Sequence, residues 1–253
     1  MLQLKSKKPA VGVLLIIIII GALFSIYKYL NFTYGTYLNS GMAFSTGNGV
    51  ISELNTMITG GDWTKAIYKM GNLEEEYDKA HEINSQVVGW IFIDGTNINY
   101  PIMHGEEDQY YLTHNWKGEP YWNGSIFLDH ANSGFNNVSL INGHNMLNGI
   151  MFTQLTNFEN KDFFNGNHDI YIYNGIDKKL EKFKAIGAIY CEPTIDLSLG
   201  NLSTEERTAE VNRLLSKSMY PKEDYNGNDV LLLNTCLSNG SGKHILVITE
   251  QVN

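Results

Sequence analysis

The chain has 253 residues, and 27 acidic against 18 basic side chains give it a formal charge of −9. Hydrophobic residues at 43% and charged residues at 18% fit a folded chain with a proper core and exclude global disorder. The basic side chains are 16 Lys plus Arg207 and Arg213, which with the acidic balance argues against a nucleic-acid binder; two cysteines are too few for a disulfide-built scaffold.

Residues 1–9 hold Lys5, Lys7 and Lys8 and read as a cytoplasmic tail. Residues 10–27, AVGVLLIIIIIGALFSIY, carry no charge. At about 1.5 Å per residue they cover most of a bilayer core of roughly 30 Å. A cleaved signal peptide is the competing reading, but the run is long for one and ends in SIYKYLNF without a small-x-small site. A single-pass anchor with the remainder outside the cell is therefore expected. Residues 28–49 are polar and read as a stalk. Residues 50–85 turn helical. Ile51, Leu54, Met57 and Ile58 mark one short helix, Gly60-Gly61 breaks it, and Asp62 or Thr64 caps a second carrying Ile67, Met70, Leu73 and Tyr77.

Residues 86–253 have a different texture, with short β-like runs between turn residues. The runs are VVGWIFI (87–93), INYPIM (98–103), GSIFLDH (124–130), SLINGH (139–144), DIYIYNG (169–175), FKAIGAIYC (183–191), DVLLLNTC (229–236) and HILVITEQV (244–252). This pattern predicts a mainly β barrel or sandwich. Thr204–Met219 interrupts it with a helical pattern, capped by Ser203 or Thr204, in which Val211, Leu214 and Leu215 share a face.

Two residues could carry chemistry. Cys236 ends an apolar run and enters the Gly- and Ser-rich LSNGSGK, although by itself it fits a buried structural cysteine at least as well. His144 also ends a β-like run and enters a loop. A thiol with an imidazole is the minimum for thiol acyl transfer. The two lie 236 − 144 = 92 residues apart, so only the fold can join them.

SLINGHNMLNGIMF followed by LLLNTC resembles the sortase signature, with its histidine loop and its strand ending in Thr-Cys. VVGWIFIDGTNINYPIMHGEEDQYYL, NGSIFLDHANS and the helical stretch between the last strands are similar to the class B pattern. The resemblance implies an antiparallel eight-stranded β-barrel with an N-terminal helical pair and a helix inserted between late strands. It implies that Cys236 is the nucleophile and His144 the general acid/base. It also implies a membrane-anchored cysteine transpeptidase that cleaves a C-terminal sorting motif after Thr, NPQTN-like or LPxTG/PPxTG-like. The acyl group would pass to an amine of a peptidoglycan cross-bridge or lipid II, fixing surface proteins to a Gram-positive cell wall. No metal or organic cofactor is implied.

One position departs from the family. Sortases place an Arg at the start of the strand after the cysteine loop, where this chain reads GSGKHILVI. Lys243 or His244 is expected in that role: Lys243 as a point charge without a planar fork, His244 as one donor that is cationic only at lower pH. By the same resemblance, Thr235 neighbours the scissile Thr, its own backbone or that of Leu237 helps to hold the oxyanion, and Ser218, Met219 and Tyr220 line the peptide. Alternatives are a pilin-polymerising enzyme, a thiol hydrolase, and a tethered binding module whose site has decayed. His81, His104, His114, His130 and His168 lack metal-ligand spacing, and Asp129-His130 reads as a solvated loop pair. A Cys191–Cys236 disulfide would block catalysis.

Overall fold

The computed structural model describes residues 21–26, 28, 72–166, 168–220 and 225–252. The chain divides into units of residues 1–38 and 39–253. In the first, residues 21–26 are helical. The expected anchor and the helix at 51–58 fall mostly or wholly outside the described residues. Among the described residues no helix is long and apolar enough to cross a membrane.

In the second unit, helix α1 (Leu73–Ile83) begins at Asn72, whose side chain accepts from the Glu75 N–H. Three acidic residues follow in its first turn, where the helix dipole favours them. Leu73, Tyr77 and Ala80 recur at helical spacing and bury one stripe against Trp90, Phe92, Met103 and Tyr173.

Eight strands then close a barrel: β1 (Val87–Ile93), β2 (Asn99–Met103), β3 (Ile126–Leu128), β4 (Val138–Asn142), β5 (Asp169–Asn174), β6 (Lys179–Cys191), β7 (Val230–Cys236) and β8 (His244–Val252). Their order around the barrel is β1-β2-β3-β4-β7-β8-β6-β5. All eight runs expected from sequence are strands. Two pairings, β2 with β3 and β4 with β7, are parallel, so the barrel is mixed where an antiparallel one was expected. Parallel neighbours need long crossovers. The first contains helix α2 (Asp108–Leu112). The second runs from residue 143 to residue 229 through a 3₁₀ helix (Thr153–Glu159), α3 (Lys161–Asn165), β5, β6 and α4 (Thr204–Leu215). The sequence reading missed α2, α3 and the 3₁₀ helix, which are too short to show a period.

Helix α4 starts at Ser203 in a capping box with Glu206 and stops at Leu215, one turn short of the expected Met219. Val211 and Leu214 pack on Val138, Leu140, Val230, Leu232, Leu246, Ile248, Ile189 and Cys191. These residues therefore face outward under the helix, while Leu231, Leu233 and Val247 face the barrel interior. Burial on both faces is why β7 reads as an unbroken apolar run.

Candidate active site

The parallel pairing of β4 with β7 closes the long sequence gap. Its register holds a constant offset of 92 residues, from Val138↔Val230 to Asn142↔Asn234. The Gly143 N–H donates to the Asn234 carbonyl at 3.2 Å, carrying the ladder one step further. The next residues on the same face are His144 and Cys236, again 92 apart. On the far side of Cys236, His244 is its partner on β8, and Cys191 on β6 is the partner of His244. His144, Cys236, His244 and Cys191 thus form a row across four neighbouring strands. Cys236 has the parity of Val230 and Leu232, so it lies on the outer face and is half-buried.

His144 is fixed from behind. Its Nε2 donates to the Leu112 carbonyl at 2.9 Å, a carbonyl that the end of α2 leaves without a helical partner. Because a carbonyl only accepts, Nε2 carries a hydrogen, and Nδ1 remains to exchange a proton with the thiol. The His144 side chain is hydrogen-bonded to Cys236, and this bond is the main cause of the shift in each: His144 is held above the usual imidazole range, Cys236 below the usual thiol range. Burial opposes both shifts and is outweighed. The backbone N–H groups of Asn145 and of Cys236 itself further favour the thiolate. The Asn145 side chain also donates Nδ2 to the Cys236 carbonyl at 2.8 Å. The opposed shifts favour a thiolate–imidazolium pair, the form that attacks a carbonyl carbon.

His244 sits in the row, and burial lowers its proton affinity. The Lys243 side chain is half-exposed, with its Nζ 4.0 Å from a Glu192 carboxylate oxygen. The Leu237 N–H is taken by the Lys243 carbonyl at 2.8 Å, closing a loop in which Gly240 and Gly242 adopt positive φ; it is not free for an oxyanion. Thr235 alternates with Cys236 and turns its side chain into the barrel, where Oγ1 is buried without a hydrogen-bond partner among the described residues. Only its backbone is left to serve a substrate. Ser218 and Met219 bind the backbone of Ala188 on β6, three residues before Cys191 and about 10 Å along the strand from the row. Tyr220 donates its hydroxyl to the Glu159 carbonyl at 2.7 Å. Ser218 and Met219 thus sit at the β6 edge away from the row, while Tyr220 is held through Glu159.

Arg207 is committed to Asp229 and the Gly227 carbonyl, and Arg213 to Glu210. Cys191 and Cys236 are free thiols separated by the width of β8, roughly 10 Å between their strands, too far for a disulfide. Asp129 and His130 gather with Asp108 at the end of β3 that runs away from His144. Sequence reasoning missed Asn142, Asn145, Asn234 and the Leu112 carbonyl. Strand alternation in LLLNTC already puts Asn234 on the face of Cys236, whereas a backbone carbonyl leaves no sequence signal.

No family model matches the chain. Sortase B of Listeria monocytogenes is 39% identical over 95 residues, 37% of this chain and 39% of that protein. Sortase B of Staphylococcus aureus is 29% identical over 117 residues, 45% of this chain and 48% of that protein. The alignments therefore span less than half of each curated relative. Among solved structures, Clostridium perfringens sortase B is 27% identical with a TM-score of 0.62, covering 70% of this chain and 99% of that one. A Streptococcus pyogenes class B sortase involved in pilus biogenesis is 29% identical with a TM-score of 0.62, covering 70% and 97%. Sequence and fold agree, and both are similar to those of class B sortases.

Proposed function

We propose that the chain is a cysteine transpeptidase working on secreted proteins at the cell surface. The observation that carries this reading is the hydrogen-bonded Cys236–His144 pair with its opposed proton affinities. The Cys236 thiolate attacks the Thr carbonyl carbon of a C-terminal sorting motif. The C–N bond breaks, His144 gives its proton to the departing amine, and a thioester remains on Cys236. An incoming amine from a peptidoglycan cross-bridge or lipid II then attacks the thioester. A new amide forms, the proton goes to His144, and the thiolate is released. His244 takes the place of the family's arginine, and residues 10–27 hold the enzyme in the membrane with the barrel outside. The pilus role of the Streptococcus pyogenes relative supports a second reading, in which the acceptor amine is a pilin lysine.

The test mixes the chain with quenched NPQTN-, LPxTG- and PPxTG-like peptides, with and without oligoglycine or a diamino acid, and follows products by mass spectrometry. Cleavage after Thr, a thioester trapped on Cys236, and loss of both in Cys236→Ala are expected. No cleavage and no trapped thioester would refute the reading in favour of a tethered binding module.

A further inference from the structure

On the outer face of β4 and β7, Val138, Leu140, Val230 and Leu232 are apolar and covered by α4. The next positions on the two strands are Asn142 and Asn234, and they are bonded to each other. Asn234 donates Nδ2 to Asn142 Oδ1 at 2.7 Å. That leaves Asn234 Oδ1 facing His244 Nδ1 at 3.1 Å. An amide oxygen only accepts, so Nδ1 carries the hydrogen. In a neutral ring Nε2 is then a bare acceptor. The charged groups around the ring come in opposed pairs, Cys236 with His144 and Lys243 with Glu192. Cys236 flanks it on β7 and Cys191 on β6; His144 lies beyond Cys236, and the neighbouring Lys243 points to Glu192. Burial favours the neutral ring. An arginine at this place would offer only donors, so this site presents the opposite polarity.

We propose that His244, seated by Asn234 and Asn142, binds the sorting peptide by accepting one of its backbone N–H groups at Nε2. His244 is then a substrate-binding residue of reversed polarity, and Asn234 is its positioning residue. The inference rests on the transpeptidase reading for the identity of the peptide. The seat itself stands on the hydrogen bonds alone.

Two measurements on the 253-residue chain test it. Long-range ¹H–¹⁵N NMR at pH 7, without peptide, should show His244 protonated at Nδ1 and bare at Nε2, with the preference lost in Asn234→Leu. A proton on Nε2 would overturn the proposal. In the second, each backbone N–H of the cleaved peptide is replaced in turn by an ester oxygen. One replacement should lower kcat/KM about three- to tenfold in the wild type, the worth of one hydrogen bond, and less than about twofold in His244→Ala or Asn234→Leu. His244→Gln, which keeps an acceptor, should retain the sensitivity. Equal ester effects in wild type and His244→Ala, or a His244→Arg chain faster than wild type, would overturn the proposal. Failure of the wild type to cleave any peptide refutes the transpeptidase reading instead, and the protonation state of the free ring still decides the seat.

Discussion

The pairing of Cys236 with His144 makes a quantitative claim about thiol reactivity. An ordinary cysteine with a pKa near 8.5 is only about 0.3% thiolate at pH 6. In this protein the His144 hydrogen bond and the N–H groups of Asn145 and Cys236 lower that affinity. For every pH unit by which the inflection drops, the thiolate fraction at pH 6 rises about tenfold. Its intrinsic nucleophilicity falls about threefold over the same step, for a net gain of about threefold in rate. Second-order alkylation by iodoacetamide, followed from pH 4 to pH 10, should therefore inflect below the ordinary thiol range. His144→Ala removes the largest cause of the shift and leaves the opposing burial in place, so its inflection should move above the wild-type value and its rate at pH 6 should fall. The background is quiet, because burial pushes the Cys191 thiol up to about 11. Cys236→Ala should accordingly react negligibly below about pH 9. Coincident inflections in wild type and His144→Ala would refute the assignment of His144 as the partner of the thiol, whatever the peptides show.

His144→Ala should lower kcat/KM for the cleaved peptide by about 10²–10⁴, the usual weight of a general acid/base, as read in the quenched-peptide assay. Asn145→Ala frees the Cys236 carbonyl from its 2.8 Å clamp and should cost about three- to tenfold in kcat/KM with the folded fraction unchanged by circular dichroism. Arg213→Ala leaves the buried Glu210 carboxylate without two hydrogen bonds. Because Arg213 is partly exposed, the loss should be about 1–2 kcal/mol in a urea melt, with kcat/KM within about twofold of wild type; a larger fall in activity would mean that an arginine serves the site after all. Leu214→Ala removes a fully buried side chain of α4 and should cost about 2–5 kcal/mol while leaving the alkylation inflection of Cys236 in place.

The eight strands were legible because each is a short apolar run between turn residues, and α4 because Ser203 and Glu206 write its start in local sequence. The mixed pairing was not legible. Nothing in β4 or β7 alone says that they run parallel, since the choice is made by the 87-residue crossover from 143 to 229 that joins them. The Cys236–His144 pair depends on that choice. His144 follows the C-terminal end of β4 and Cys236 ends β7, and two C-terminal ends of neighbouring strands lie side by side only when the strands point the same way. An antiparallel β4–β7 pair would have put them at opposite ends of the barrel. The positions of the other candidate residues follow the same logic. Ser218 and Met219 follow the inserted helix, but the backbone of Ala188 holds them at the β6 edge, and Tyr220 is tied to the Glu159 carbonyl. Thr235 adjoins Cys236 in sequence, yet alternation turns its side chain to the other face. Asn234, one residue further back, returns to the face of Cys236, and its hydrogen bond determines which nitrogen of His244 carries the hydrogen.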